Sequence, residues 1–186
     1  MLSMSSWSWY LTRSTGIVAA VLSVAALVWG LFFSARNTGT RLKPNWWLAL
    51  HNWLGGLTLT FIGLHMLFSL LDSQQGLGLK DLFIPSGSVG WAIGWGVVSF
   101  WLFVLVVLPS VARVRRRLPR KAWHVVHLLA IPATVLGMVH AFQIGSDSAA
   151  SYVTRGLALL VGIAVYPVSI RLIGLAEARR RRTATA

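Results

Sequence analysis

The sequence predicts an all-α integral membrane protein, built as a bundle of about five transmembrane helices. Of its 186 residues, 56% are hydrophobic and only 11% are charged, which is typical of a membrane protein rather than of a soluble core. Five apolar runs reach the roughly 20 residues that a helix needs to cross a bilayer. These runs are Ser14 to Phe33, Trp47 to Leu71, Trp91 to Val111, Ala122 to Phe142, and Tyr152 to Ile173.

The segments around these runs suggest how the chain is divided. Trp7, Trp9 and Tyr10 precede the first run, and aromatic residues of this kind concentrate at membrane interfaces. We therefore expect an outer interfacial segment at residues 1–13, a membrane domain at 14–173 and a basic cytoplasmic tail at 174–186. Between the second and third runs, the apolar segment Leu79 to Ile84, ended by Pro85, predicts a short interfacial cap.

The net charge of +13 follows the predicted topology. Basic residues concentrate in the first and third connections and in the tail, whereas Asp72, Asp81 and Asp147 lie in the second and fourth. By the positive-inside rule, this alternation predicts a multi-pass protein of the cell membrane with its N-terminus outside and its C-terminus in the cytoplasm. Because topology accounts for the charge, we expect the lipid bilayer as a partner and no nucleic acid.

The second run carries two histidines, His51 and His65. An ionisable side chain within a membrane span is costly and by default indicates a functional site. Their separation of fourteen residues places both rings on one side of a helix, about 40° apart and about 21 Å along its axis. Gly55, one turn from His51 on that side, leaves room for a broad flat group to approach the backbone. A haem fits this description.

The fourth run contains a matching set: His124, His127 and His140. The second and fourth runs cross the membrane in the same direction, so His127 matches His51 in depth near the inner end, and His140 matches His65 near the outer end. A straight helix would separate His127 from His140 by about 140°. Pro132 lies between them and predicts a bend or local rewinding that brings them to one side. His124 is kept as an alternative inner ligand.

Neutral imidazole is a good ligand for iron, zinc or copper, and two imidazoles from facing helices can hold a haem from both sides. No Asp or Glu lies inside the predicted spans, which disfavours a bare zinc or manganese site. Arg13 and Arg155 flank the outer ends of the first and fifth spans. For each of them, contact with a haem propionate competes with ordinary flanking of the membrane.

The motifs His51-x13-His65 and Trp123-x3-His127-x12-His140 resemble those of the ferric reductase-like transmembrane domain. The similarity covers roughly Tyr10 to Ile173, with five predicted helices where the family usually has six. The superfamily includes NADPH oxidases, ferric reductases and the haem-binding subunit of bacterial methionine-sulfoxide reductase systems. The resemblance implies a b-type cytochrome subunit that carries single electrons across the membrane. It also implies two b haems, one ligated by His51 and His127 and one by His65 and His140, with a single haem as the alternative.

The resemblance does not extend to the flavin and nicotinamide domain that feeds the oxidases, so we expect no flavin or nicotinamide site in this chain. The resemblance therefore implies a separate flavoprotein or quinol as electron donor, and an extracytoplasmic flavoprotein or a metal ion as acceptor. On this interpretation the chain is the electron-transfer subunit of a membrane oxidoreductase. Two alternatives stay open. One is a non-catalytic membrane anchor for a partner protein, and the other is a quinone-reactive cytochrome b subunit in which His124 or Arg120 contacts the headgroup.

Overall fold

The computed structural model describes residues 4–34, 44–73, 75–85, 90–144 and 151–184, and these ranges contain helices and no strand. A short 3-10 turn at Leu108–Ser110 joins the fourth helix to the fifth. The helices are α1 (Met4–Ser34), α2 (Pro44–Leu71), α3 (Leu79–Phe83), α4 (Trp91–Val107), α5 (Ala112–Arg115), α6 (Arg120–His127), α7 (Ala130–Ile144) and α8 (Ser151–Ala184).

Within the described ranges, five stretches are long and apolar enough to cross a membrane, which confirms the predicted fold class. The fourth stretch combines α6 and α7, while each of the others lies mainly in a single helix. The five stretches are Trp7–Phe32, Asn45–Leu71, Trp91–Ser110, Arg120–Ile144 and Thr154–Gly174.

Two helices extend beyond the predicted bounds. α1 begins at Met4 rather than at Ser14, so the described part of the N-terminal segment continues the first helix. α8 continues to Ala184 rather than ending at Ile173, because its Ala- and Arg-rich end favours helix. The interfacial position of residues 1–13 and the cytoplasmic position of the tail stay predictions. Of the charged residues in the predicted connections, Arg36, Arg41 and Lys43 of the first and Asp147 of the fourth lie outside the described ranges.

The fourth membrane stretch is divided, since α6 ends at His127 and α7 begins at Ala130. Pro132 has no N–H, and a proline ring crowds the carbonyl four residues before it, which here belongs to Leu128. That carbonyl instead accepts the N–H of Ile131 at 3.1 Å. The rewinding predicted from Pro132 is therefore present, one turn before the proline.

The helices are arranged as two antiparallel pairs. α1 lies along α2, and α4 lies along α7, while contacts of α2 with α4 and of α1 with α7 join the pairs. α8 packs mainly against α1. In the described part of the chain, α2 and α7 do not share an extensive backbone contact, so side chains span the space between them.

Several small polar side chains are buried between the helices, and many large apolar ones are exposed on the outer surface. Thr58 is 1% exposed and its hydroxyl donates to the carbonyl of Leu54 at 2.8 Å, whereas Trp53 is 70% exposed. This pattern suits lipid, because small residues let membrane helices approach closely and the bilayer solvates the apolar outer surface. The other buried hydroxyl residues are Thr12, Thr15, Ser23, Ser69, Ser99 and Thr134.

Two tryptophans fix α1 against α2 at the end where α2 begins. The rings of Trp29 and Trp47 stack at 4.2 Å between centroids. Each indole also bonds to the other residue's backbone: Trp29 Nε1 donates to the Trp47 carbonyl at 3.1 Å, and Trp47 Nε1 donates to the Trp29 carbonyl at 3.4 Å. This reciprocal contact holds the first half of α2 in one register against α1.

The short helix α3 occupies the segment predicted as a cap. The Asp81 carboxylate accepts the Gly78 N–H at 2.9 Å and so closes its first turn. Trp101 on α4 donates its indole N–H to the Phe83 carbonyl at 2.9 Å, and Leu82 is buried. These contacts place α3 against α4.

Candidate functional site

Four histidines meet across the space between the two helix pairs. The ring centroids of His51 and His127 lie 5.7 Å apart with their planes at 74°, and those of His65 and His140 lie 6.0 Å apart at 81°. His51 and His127 lie toward the end of the bundle that carries the arginine-rich α5, and we name them the basic-end pair. His65 and His140 form the far-end pair. These are the two pairs matched by depth in the sequence.

The separation of the rings fits one metal atom between each pair. Two metal–nitrogen bonds of about 2 Å, with about 1 Å from each nitrogen to its ring centre, place the centres of two such rings about 6 Å apart. The observed 5.7 and 6.0 Å lie close to this value. The described residues contain no group of three or more His, Asp and Glu side chains suited to a metal ion. Each pair supplies two imidazole ligands, which suits a metal that brings its other ligands with it, as haem iron does.

Backbone carbonyls of the neighbouring helices orient three of the four rings. When a histidine Nδ1 donates to a carbonyl, the ring tautomer is fixed and Nε2 is left to bind a metal. Both members of the far-end pair are held in this way, as is one member of the basic-end pair. The bonds run from His51 to the Ala26 oxygen at 3.1 Å, from His65 to the Thr12 oxygen at 2.8 Å, and from His140 to the Ala92 oxygen at 2.8 Å.

A glycine makes room for each of these three rings. A Cβ added to Gly16 would lie 2.9 Å from His65 Nδ1, and one added to Gly96 would lie 2.6 Å from His140 Nδ1. A Cβ added to Gly30 would lie 2.9 Å from His51 Cε1. Each glycine comes four residues after the carbonyl that accepts the histidine, so the Nδ1 edge of the ring approaches the helix where the glycine has no side chain.

These three glycines were not predicted from the sequence. A signal was available in their spacing, since Gly16 and Gly30 are separated by fourteen residues, as are His51 and His65. In two antiparallel helices, equal separations allow each glycine to face one histidine, so that Gly16 lies opposite His65 and Gly30 opposite His51. The signal appears only when the spacings of α1 and α2 are compared, since neither helix shows it alone.

His127 is held differently from the other three. Its ring stacks on Trp123 with centroids 4.7 Å apart and planes at 17°, and its Nδ1 lies 3.3 Å from the Ser110 hydroxyl. Trp123 Nε1 donates to the same hydroxyl at 3.3 Å. On the indole, Arg115 places its guanidinium carbon 4.3 Å from the ring centroid.

Among known families, the ferric reductase like transmembrane component matches residues 15–138, which is well over half of the chain. The chain belongs to the ferric reductase-like transmembrane family. This confirms the resemblance found in the two histidine motifs. The matched range contains three of the four histidines and all three histidine-facing glycines, and it ends just before His140. Comparisons with curated proteins and with solved structures gave no significant match.

Two further predicted site residues in this family member lie near the basic-end pair. His124 is exposed, and its ring lies 6.2 Å from that of Trp123, so His127 rather than His124 faces His51. A Cβ added to Gly55 would meet no atom within 4 Å, as at Gly56 and Gly63, so the approach of a flat group at Gly55 stays a prediction.

The predicted outer arginines are less directly placed. Arg13 is partly buried, with its guanidinium carbon 4.5 Å from the Trp9 ring centroid. Arg155 is exposed near the start of α8. Among the described contacts, neither guanidinium touches the rings of the far-end pair. The roles of Arg13 and Arg155 toward a propionate therefore stay predictions. A polar group is nevertheless available there, because the Thr12 hydroxyl is buried without a hydrogen-bond partner among the described residues.

Proposed function

We propose that this chain is a b-type cytochrome subunit that carries single electrons across the membrane through two bis-histidine haems. The proposal rests on the basic-end and far-end histidine pairs, which we also call the two imidazole clamps. The two rings of each pair are spaced for one metal atom, and the pairs lie at different depths of one bundle. Membership of the ferric reductase-like transmembrane family supports a role in membrane electron transfer.

Bound haem would supply a one-electron iron couple. The Nε2 atoms of His51 and His127 would hold one iron, and those of His65 and His140 the other. The carbonyls of Ala26, Thr12 and Ala92 keep three of these rings in the ligating tautomer. Rings already fixed in orientation lose little freedom on binding, and the lipid-solvated bundle keeps water from the iron ligands.

The arrangement suits transfer between the two membrane faces. Along α2 the two clamps are separated by about 21 Å, which spans most of a hydrocarbon core of about 30 Å. We propose that the basic end lies in the cytoplasm, as the positive-inside rule predicts. A separate flavoprotein or a quinol would then supply electrons, and an acceptor at the opposite face would remove them.

The first experiment is a reduced-minus-oxidised absorbance spectrum of the purified full chain, with haem quantified per chain. We expect about two b haems in the wild type and about one in His65→Ala and in His127→Ala. His124→Ala is the matched control, because it removes an exposed histidine of the same membrane stretch and should leave both haems.

Each other result has a defined meaning. A wild-type protein without haem would contradict the proposal and favour the membrane-anchor alternative. If His124→Ala lost a haem and His127→Ala retained both, His124 rather than His127 would be the haem ligand. The donor is tested separately, since reduction by a quinol analogue that His124→Ala abolishes, while dithionite still reduces the haems, would identify a quinone-reactive subunit.

A further inference from the structure

The four histidines occupy equivalent positions against neighbouring helices, and one of these positions differs in chemistry. Fourteen residues separate Gly16 from Gly30 on α1, and fourteen separate Gly96 from Ser110 on α4 and its 3-10 turn. Ser110 therefore takes the place, opposite His127, that glycine takes opposite the other three. The Ser110 hydroxyl donates to the Val106 carbonyl at 2.7 Å. That carbonyl lies four residues back, where the other histidines find their acceptors.

This exchange gives His127 a weaker hydrogen-bond acceptor. In the other three positions Nδ1 lies 2.8 to 3.1 Å from a backbone carbonyl. In His127 it lies 3.3 Å from a hydroxyl oxygen that also receives the indole N–H of Trp123, again at 3.3 Å. Neutral hydrogen bonds weaken beyond about 3.2 Å, so the longer contact of His127 is the weaker one.

The strength of this bond affects an iron held at Nε2. A strong acceptor at Nδ1 makes the imidazole a more basic ligand, and a more basic ligand stabilises the oxidised iron. A weak acceptor therefore shifts the couple toward the reduced form. The Arg115 guanidinium acts in the same direction, because it lies on the indole stacked against His127 and a nearby cation disfavours the more positive oxidised state.

We propose that Ser110 is a positioning residue that raises the reduction potential of the basic-end haem above that of the far-end haem. The inference rests on the haem ligation proposed above. In the far-end pair both rings donate to backbone carbonyls, whereas in the basic-end pair only His51 does. The first electron to enter the bundle consequently resides at the basic end at equilibrium.

The test is a spectroelectrochemical titration of the full-length haem-loaded protein. In the wild type, two midpoints are expected, and the single-haem variants His65→Ala and His127→Ala assign them, the higher one to the basic end. Ser110→Gly frees the Val106 carbonyl and opens the space that the other histidines use. It should lower only the basic-end midpoint, by about tenfold in the reduction equilibrium constant, which is 59 mV for a one-electron couple.

Ser110→Ala is the paired variant, because it removes the hydroxyl but keeps the Cβ. It should leave His127 without this acceptor, so the basic-end midpoint should stay at or above the wild-type value. The inference is overturned if the far-end haem has the higher midpoint, or if both Ser110 variants leave the basic-end midpoint unchanged or shift both midpoints equally. A wild-type chain without haem contradicts the proposed function instead, so the two failures are distinguishable.

Discussion

Gly96→Ala tests whether a glycine opposite a histidine ring is needed to hold that ring in position. The added Cβ would lie 2.6 Å from His140 Nδ1, 2.7 Å from Cε1 and 3.0 Å from Cγ, so it would clash with the whole edge of the ring. Ordinary contact begins at 3.4 Å. His140 must therefore move away from α4, and its 2.8 Å bond to the Ala92 carbonyl must lengthen or break.

The energy of this displacement can be estimated. Overpacking of a close contact costs about 1–3 kcal/mol, and loss of a hydrogen bond adds about 1 kcal/mol. Alanine also has a higher helix propensity than glycine, but this term is the same in the haem-free and the haem-bound chain and leaves haem affinity unchanged. The cost of about 2–4 kcal/mol falls on the far-end site, and about 1.4 kcal/mol corresponds to a tenfold change in affinity. We expect haem binding at the far end to weaken by at least about tenfold.

The assay is haem retained per chain after purification, together with a haem titration of the depleted protein. Gly63→Ala on α2 is the matched control, because its Cβ would meet no atom within 4 Å and the substitution is otherwise the same. Gly30→Ala should weaken the basic-end haem instead, since its Cβ would lie 2.9 Å from His51 Cε1. If Gly96→Ala retained both haems with wild-type affinity, the glycine surface would not be the feature that seats His140.

Two further substitutions test how the helices hold the pairs. Pro132→Ala restores the N–H that the Leu128 carbonyl lacks, so α6 and α7 should tend toward one regular helix with His127 and His140 about 140° apart. The haem content per chain should therefore fall to about one. Retention of two haems would contradict this reasoning. Trp47→Phe removes the 3.4 Å hydrogen bond to the Trp29 carbonyl but keeps an aromatic ring. Thermal unfolding in detergent should show that the free energy of unfolding falls by about 1 kcal/mol. Trp53→Phe, on the exposed face of α2, is the control and should show no comparable fall.

The sequence was sufficient to predict features that depend on one helix at a time. Five apolar runs gave the spans because length and hydropathy are local properties. The depths of His51, His65, His127 and His140 followed from counting along two helices that cross in one direction. The missing N–H of Pro132 predicted the rewinding, because the affected carbonyl lies in the same chain segment.

Features that depend on two helices together could not be predicted in this way. The carbonyls of Ala26, Thr12 and Ala92 carry no side-chain signal, because every residue offers a backbone acceptor. Their selection as histidine partners depends on the register between α1 and α2 and between α4 and α7. The start of α1 at Met4 was also missed, since the aromatic and serine residues there suggested an interface. The absence of a helix-breaking residue before Gly16 is consistent with the longer helix.

Register also explains why the two clamps are not independent of each other. On α1 and α2 the separations match, because Gly16 and Gly30 are as far apart as His65 and His51. A slip of one residue would rotate α1 by about 100° and remove both glycines from both rings. On the other helix pair the separations differ by one residue, since Gly96 to Ser110 is fourteen and His127 to His140 is thirteen. The rewound turn before Pro132 absorbs this difference, so the same local irregularity that divides α6 from α7 allows the second pair of helices to match the first.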